Sequence, residues 1–323
     1  MKILVTGGAG FIGSHVVDLF INAGHEVVVV DNLTTGRTSN LNPKAKLYSI
    51  DLRSPELEQV FLAERPDIID HHAAQINVRR SVADPVFDAD NNVMGGLNLL
   101  NMAVKYKSRK FIYISSGGAI YGEPVYLPCD EDHPIRPLSP YGATKYMLEL
   151  YLSMFQRTYG LDYSVLRYPN VYGPRQDPAG EAGVVAVFTD SMLRGQPVTI
   201  YGSGEQVRDF VYVEDCARAN LLLLENGSGR AYNLGYGVGT TINQLFRELK
   251  AITHYELEAN YAAERLGEIF KCYLDASRAA EELGWKPTVS LKEGLQLTVN
   301  YFRENELDLN GSSGSVPRRA AGP

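Results

Sequence analysis

Cysteine, tryptophan and positive charge are all scarce in this chain of 323 residues. Its three cysteines, Cys129, Cys216 and Cys272, are odd in number and widely spaced, which argues against a disulfide framework and against a zinc site. Lys and Arg total 31 against 38 Asp and Glu, a formal net charge of −7. Bulk electrostatics therefore gives no support to a nucleic-acid or membrane-surface partner, and an anionic ligand would need a local patch of Arg or Lys. No apolar run reaches membrane-spanning length, no signal-like segment precedes the first strand, and no internal repeat is visible. The expectation is a cytoplasmic protein that engages neither membrane nor nucleic acid.

What is present is an ordinary globular composition, 45% hydrophobic and 21% charged. The length suits one large α/β unit with a smaller companion, and a chain of this size buries a substantial core without staples. Short apolar runs that read as buried strands lie at Lys2–Thr6, Glu26–Asp31, Leu47–Asp51, Ile68–His72, Lys110–Ser115 and Ser164–Arg167. Helical patterns fall between them at Phe11–Ala23, Pro55–Glu64, Pro85–Tyr106 and Tyr141–Tyr159. Continuous apolar strands alternating with helices imply a parallel sheet covered on both faces. After Arg167 the rhythm changes: Gly and Pro become frequent and the strands scatter. Val213–Leu224 reads as a helix, and Arg230–Leu234 as a segment returning to the sheet. Leu291–Phe302 is the last expected helix, and from Gly311 the sequence GSSGSVPRRAAGP is too polar to form a core.

The first strand runs directly into Thr6-Gly7-Gly8-Ala9-Gly10-Phe11-Ile12-Gly13, and a helix follows. Gly7, Gly10 and Gly13 permit a tight turn, close backbone approach to a pyrophosphate and close helix packing. The helix start then offers unpaired N–H groups to phosphate. A glycine triplet alone is a weak signal; the strand–loop–helix setting strengthens it. Asp31 ends the second strand, 18 residues after Gly13. An acid there suits the adenosine ribose hydroxyls and repels a 2′-phosphate, which favours NAD over NADP. The fold expected is α/β, a doubly wound parallel sheet of Rossmann type with a smaller C-terminal substrate domain. Residues 1–168 would bind NAD, joined by a returning segment at 211–237. Residues 169–210 and 238–308 would form the substrate domain, and 309–323 a tail.

Ser139-Pro140-Tyr141-Gly142-Ala143-Thr144-Lys145 opens a helix, with Ser139 suited to the N-cap and Pro140 to the first helical position. Tyr141 and Lys145 are then at i and i+4 on one face. A free tyrosine is a poor base at neutral pH; a nearby ammonium and an oxidised nicotinamide would both lower its pKa, letting it exchange a proton with a substrate hydroxyl.

These two motifs together resemble the extended short-chain dehydrogenase/reductase superfamily, and the likeness runs through most of the chain. It continues at Val30-Asp31-Asn32-Leu33, His72-Ala73-Ala74-Gln75, Asn91-Asn92-Val93, Ser115–Gly122, Leu166–Arg175 and Arg208-Asp209-Phe210-Val211. Within the epimerase/dehydratase branch, the stretches GGAIYGEP, NVYGPRQDP, GEAGVVAVF and GTTINQLF are most similar to UDP-glucose (UDP-galactose) 4-epimerases.

The resemblance implies the site as follows. NAD would be held by Gly7, Gly10, Phe11, Ile12 and Gly13, by Asp31 and Asn32, and by Asp51 and Leu52 beside the adenine. Ala73, Ala74, Gln75 and Asn91 would line its cleft, with Tyr141, Lys145 and Tyr168 at the nicotinamide end. A nucleotide-sugar substrate would meet Ser116, Tyr141, Asn170, Val184, Val185, Tyr201, Arg208, Arg265, Glu268 and Cys272. Arg208 and Arg265 would pair with its diphosphate, and Glu268 would accept from the uridine ribose. A homodimer through Pro85–Tyr106 and Tyr141–Tyr159 is implied too.

The family places a catalytic hydroxyl before the Tyr, and here the alignment is ambiguous. Counting back 25 residues from Tyr141 gives Ser116, whereas aligning on Tyr121-Gly122 gives Gly117. Ser116, a water or Thr144 are the candidates. Cys272 is either a small residue that admits N-acetylated sugars or a packed thiol. The competing activities are another nucleotide-sugar epimerase, a dehydratase or decarboxylase, a simple reductase, and a non-catalytic NAD-binding protein. A dehydratase would want Asp-Glu where Gly117-Gly118 or Gly118-Ala119 stands.

Overall fold

The computed structural model describes residues 1–179, 183–264 and 269–311. Six strands, β1 (Lys2–Thr6), β2 (Glu26–Val30), β3 (Lys46–Tyr48), β4 (Ile68–His71), β5 (Lys110–Ser116) and β6 (Asp162–Tyr168), join Arg230–Asn233 in a seven-stranded sheet. From the returning strand inward the order is Arg230–Asn233, β6, β5, β4, β1, β2, β3, and every pairing is parallel. The chain winds outward from β1 to β3, then crosses back to β4 beside β1. The crevice at this reversal lies at the carboxyl ends of the strands, where open α/β sheets bind ligands.

Alternation along each strand divides the core. Ile3, Val5, Ile112, Ile114 and Leu166 face the helix Phe11–Asn22, which buries Val16, Val17 and Phe20, and the helix Val213–Leu223, which buries Cys216 and Leu223. Leu4, Val28, Ile69, Phe111 and Tyr113 face the opposite layer, built from Leu57 and Phe61, Leu99 and Leu100, and Leu148 and Leu152. Both layers exclude water, which is why the strands read as unbroken apolar runs rather than alternating ones.

Several boundaries differ from the sequence reading, three of them with a clear local cause or consequence. β3 stops at Tyr48 because the chain turns: Ile50 N–H returns to the Tyr48 carbonyl, and Arg53 N–H donates to the Asp51 side chain. The next helix starts at Leu57, after a turn in which Leu57 N–H reaches the Ser54 carbonyl. The segment expected as one helix over Pro85–Tyr106 is α-helical at Pro85–Ala89, π-helical at Asp90–Met94 and α-helical again at Gly95–Lys105.

The C-terminal half holds more helix than its scattered strands suggested. Val184–Leu193, Ile242–Thr253 and Leu291–Gly311 bury Phe188, Met192, Leu245, Phe246, Leu249, Leu295 and Val299 in a second core with Tyr172 and Tyr212. Ile242–Thr253 starts with a reciprocal Thr241–Gln244 capping box, a sequence signature that the reading passed over. The last helix continues past Phe302 because no Pro or Gly interrupts it before Gly311.

Candidate active site

The glycine loop shows why side chains are excluded there. Gly7 has φ +69°, and a Cβ on it would lie 2.7 Å from the Ala73 nitrogen. A Cβ on Gly13 would lie 2.3 Å from the Gly7 carbonyl oxygen. The helix Phe11–Asn22 begins at Gly10 with no side-chain cap and no acid in its first turn. Its first N–H groups are thus left for an anion. Asp31 is nearly buried and held in place, accepting from Ala9 N–H (3.0 Å) and Leu33 N–H (2.8 Å). Asn32 donates to Asp51 at 3.1 Å, and the paired Arg53 guanidinium (2.7 Å) holds the Asp51 carboxyl well below the usual range.

These residues open on a cavity of about 570 Å³ that runs from the glycine loop across the switch point to Tyr141. Gly7, Gly10, Phe11, Ile12, Gly13, Asp31, Asn32, Asp51, Leu52, Ala73, Ala74, Gln75, Asn91, Tyr141, Lys145 and Tyr168 all line it, as do Ser116, Pro169 and Asn170. It also takes His72, named only within its motif, and Thr34, Thr35, Ile76, Arg80 and Gln176, to which the sequence reading assigned no role. Thr34 and Thr35 follow directly on Asp31-Asn32, and Gln176 lies in NVYGPRQDP, so adjacency to a motif was their available signal. Arg80 had none; its guanidinium lies 3.6 Å over the Phe87 ring.

The helix Pro140–Tyr159 forms as its first residues dictate. Ser139 accepts from Gly142 N–H at 3.2 Å, Pro140 occupies the first turn, and Gly160 ends the helix in the left-handed region. Lys145 is buried, its ammonium donating to the Ile114 carbonyl at 2.9 Å and lying 5.3 Å from the Tyr113 ring centre. Burial lowers the Lys145 pKa to about 8, against the opposing pull of Asp88 and Glu149. The Tyr141 phenol, hydrogen-bonded to Ser116, is pushed up to about 12 by burial. Here the expectation of a lowered tyrosine pKa fails for the protein alone. The ammonium sits 6.0 Å from the Tyr141 ring centre and is committed to a carbonyl, so desolvation of the phenolate outweighs its attraction.

Ser116 contacts Tyr141, whereas the other hydroxyl candidate and the glycine do not reach the cavity. Thr144 is buried, and its single hydroxyl proton is shared between Asp88, 2.7 Å from Oγ1, and the Tyr141 carbonyl, 3.0 Å away. A Cβ on Gly117 would point at Leu274, 2.4 Å from its Cδ1, and a Cβ on Gly118 would have no neighbour closer than Asn170 and Ser116, each at 4.0 Å.

The expected substrate positions are more dispersed. Asn170 borders the cavity, while Val184, Val185, Tyr201, Arg208 and Cys272 are not among the described residues that line it. Val185 is packed in the second core, in the first turn of the helix Val184–Leu193. Tyr201 is 39% exposed on a short strand, and Arg208 donates to the Val207 carbonyl at 2.9 Å. Cys272 is buried with Cys129 behind Gly117, its sulfur 3.8 Å from the Gly117 carbonyl, a packed-thiol arrangement. Arg265 and Glu268 lie outside the described residues.

The segment 173–179 ties the smaller lobe to the dinucleotide cleft. His15 Nε2 meets the Pro174 carbonyl at 3.0 Å, Arg175 pairs with Asp18 at 2.8 Å, and Arg37 pairs with Asp177 at 2.5 Å. Burial lowers the His15 pKa to about 4, so its imidazole is neutral in this contact near pH 7.

A glycine cradle, an acid at the end of β2 and a Tyr–Lys pair over the same cavity define a dinucleotide-binding α/β enzyme of the Tyr–Lys type. The sequence profile of the NAD dependent epimerase/dehydratase family matches residues 3–235, and the chain belongs to that family. A UDP-glucose 4-epimerase of Mycolicibacterium smegmatis is 42% identical over 309 residues, spanning 94% of this chain and 99% of its own length. Among solved structures, UDP-glucose 4-epimerase of Thermotoga maritima with UDP-glucose is 55% identical, with TM-score 0.94, over 95% of this chain and 100% of that one. The Thermus thermophilus UDP-glucose 4-epimerase complex with NAD is 44% identical, with TM-score 0.90, over 94% of this chain and 99% of that one. Among the described residues no helix is long and apolar enough to cross a membrane.

Proposed function

We propose that this chain is an NAD-dependent UDP-glucose/UDP-galactose 4-epimerase, inverting the sugar C4 through a 4-keto intermediate. The observation that carries the reading is one continuous cavity that joins the glycine cradle to the hydrogen-bonded Ser116–Tyr141 pair. The cradle fits NAD: a Cβ at Gly7 or Gly13 would collide with the backbone of Ala73 or Gly7, so the tight loop stays bare; the uncapped helix start supplies N–H donors, and Asp31 supplies an acceptor for ribose hydroxyls. NAD, when bound, supplies a hydride acceptor that returns the same hydride, and a positive ring that favours the phenolate.

The chain's own residues do the rest. Tyr141 takes the proton of the sugar 4-hydroxyl and returns it to the same oxygen after the sugar turns over. Ser116 holds that hydroxyl and the phenol in one hydrogen-bonded array. Lys145, held by the Ile114 carbonyl, would bind the nicotinamide ribose. Asn170, Arg208 and Arg265 are assigned to the diphosphate, and Val184, Val185, Tyr201 and Glu268 to the nucleoside, so that the anchor stays fixed while the sugar rotates. The division into an NAD-binding part (1–168 with 211–237) and a substrate part (169–210 with 238–308) belongs to the same proposal, as does a cytoplasmic setting, for which the three free, buried cysteines are suited.

A homodimer completes the proposal. Val82, Val86 and Met94 are exposed on one run of short helices, and Met147, Leu150 and Met154 are exposed at helical spacing on the neighbouring Pro140–Tyr159. A contiguous apolar face of this kind is best covered by a second copy. The test of activity is purified protein given UDP-galactose with no added cofactor, followed by NMR. Interconversion with UDP-glucose, abolished by Tyr141→Phe, is expected. Stoichiometric consumption of added NADH would instead make it a reductase, and loss of the 6-hydroxyl a dehydratase.

A further inference from the structure

Behind the Tyr–Lys pair, outside the cavity, lies a carboxylate that the reaction scheme leaves unused. Asp88 belongs to the short helix Pro85–Ala89 and is fully buried. It accepts three hydrogen bonds: from Gln75 Nε2 at 2.7 Å, Asn92 Nδ2 at 3.2 Å and Thr144 Oγ1 at 2.7 Å. All three donors are neutral. Burying a carboxylate is costly unless donors or charge compensate it, and here three neutral donors supply the compensation. An apolar residue of similar size would have avoided the cost, so the charge needs a reason.

The contacts suggest one. Thr144 lies between Tyr141 and Lys145 on the first turns of the helix, and its hydroxyl is clamped by Asp88 on one side and the Tyr141 carbonyl on the other. Gln75 and Asn92 bind one another as well, through Gln75 N–H to Asn92 Oδ1 at 2.8 Å, so the same network reaches the cavity wall. The adjoining π-helical turn Asp90–Met94 holds Asn92 in this network while Asn91 borders the cavity; such turns recur at functional sites.

We infer that Asp88 is a positioning residue for catalysis: its buried carboxylate fixes the start of the Tyr141–Lys145 helix through Thr144 and adds a buried negative charge behind the pair. The other groups around this charge are few. Glu149, one turn beyond Lys145, is taken up by Arg167, which reaches it at 2.7 Å. Tyr113 and His71 face the ammonium from β5 and β4, and both are neutral, the tyrosine raised and the histidine lowered by burial. Ser116 faces Tyr141 from the end of β5. Arg80, on the helix Val78–Ala83, rests on Phe87. Asp88 therefore acts on both members of the pair in the same sense, raising the pKa of Lys145 and of Tyr141.

The test uses the full chain with its bound NAD. Asp88→Asn keeps the shape and removes the charge; Thr144→Val removes the clamp and keeps the charge. Two readouts are taken: the pH profile of kcat for UDP-galactose, and the phenolate absorbance of Tyr141 obtained by difference from Tyr141→Phe. Asp88→Asn is expected to move both the kinetic limbs and the phenolate titration to lower pH by about half a unit or more. Thr144→Val is expected to lower kcat and leave the titration in place. Equal midpoints in Asp88→Asn and the wild type, with kcat reduced, would overturn the inference and leave Asp88 a packing residue. So would an equal shift in Thr144→Val. Should Asp88→Asn fail to fold, Asp88→Ser takes its place, with the same shift required. The kinetic arm rests on the epimerase reading; the titration does not, so a wild-type protein inert toward both sugars would refute that reading while still deciding the role of Asp88.

Discussion

Gly13→Ala should remove NAD binding far more than it removes stability, and the size of the effect follows from the loop. The added methyl would stand 2.3 Å from the Gly7 carbonyl oxygen, 2.9 Å from the Gly7 carbonyl carbon and 3.1 Å from Gly8 Cα. Ordinary contact begins near 3.4 Å, so an opening of about 1 Å is needed. The obstructing atoms are backbone, with no rotamer to yield. The displaced carbonyl belongs to Gly7, itself held by a hydrogen bond from its N–H to the Val30 carbonyl at 2.9 Å and, on its own oxygen, by Gly10 N–H at 3.0 Å. Misplacing a preorganised group by this much costs on the order of a hundredfold. The control is Gly95→Ala in the helix Gly95–Lys105, whose methyl would meet nothing closer than Leu52 Cβ, at 3.5 Å, an ordinary contact. The assay is NAD bound per chain after extensive dialysis, with affinity by calorimetry on stripped protein and unfolding by circular dichroism. A Gly13→Ala protein that keeps NAD as the wild type does would refute the cradle, as would equal losses in both variants.

Arg167→Met should destabilise by about 3–5 kcal/mol, because it strands Glu149 in the interior. The pair is bidentate, at 2.7 and 3.2 Å, and each side chain is 7% exposed; chemical denaturation measures the change. His15, lowered to about 4 in the folded protein and ordinary when unfolded, binds more protons in the unfolded chain between those values. Its contribution is therefore present above about pH 6.5 and lost as pH falls toward 4, amounting to at most about 3 kcal/mol; His15→Gln should flatten this part of the stability–pH curve, and an unchanged curve would discount the buried imidazole. Leu150→Glu is expected to convert dimer to monomer by light scattering, with little loss of fold; a wild-type monomer at micromolar concentration would refute the proposed interface.

Much of the fold was legible because each strand of the main sheet is a largely apolar run and the helix that carries the Tyr–Lys pair announces its start at Ser139-Pro140. The glycine loop and Asp31 were legible for the same reason, since their chemistry is local in sequence. What the sequence concealed depends on contacts made at a distance. Nothing around Asp88 distinguishes it from the exposed Asp84 and Asp90 until Gln75, Asn92 and Thr144 converge on it. The lowered tyrosine pKa was misjudged because spacing places Lys145 near Tyr141 but says nothing of Ile114, whose carbonyl takes the ammonium. The second core was underestimated because Gly and Pro at its loops masked helical periodicity in Val184–Leu193 and Ile242–Thr253.

The π-turn at Asp90–Met94 has a consequence for how the chain tolerates insertions and deletions. It separates two segments with independent obligations: upstream, Asp88 must face Thr144; downstream, Leu99, Leu100 and Ala103 must face the sheet. A π-turn holds one residue more than an α-turn, so losing that one residue returns the segment to regular α-helix with both faces in phase, whereas losing a second would rotate one segment against the other by about 100°. Either the carboxylate would leave its donors or the leucines would leave the core. The turn thus acts as a phase setting between two reading frames of one helix, and point substitution, which preserves the count, cannot expose it. A two-residue deletion would, and a compensating insertion of one non-proline residue between Asp88 and Gly95 would repair it.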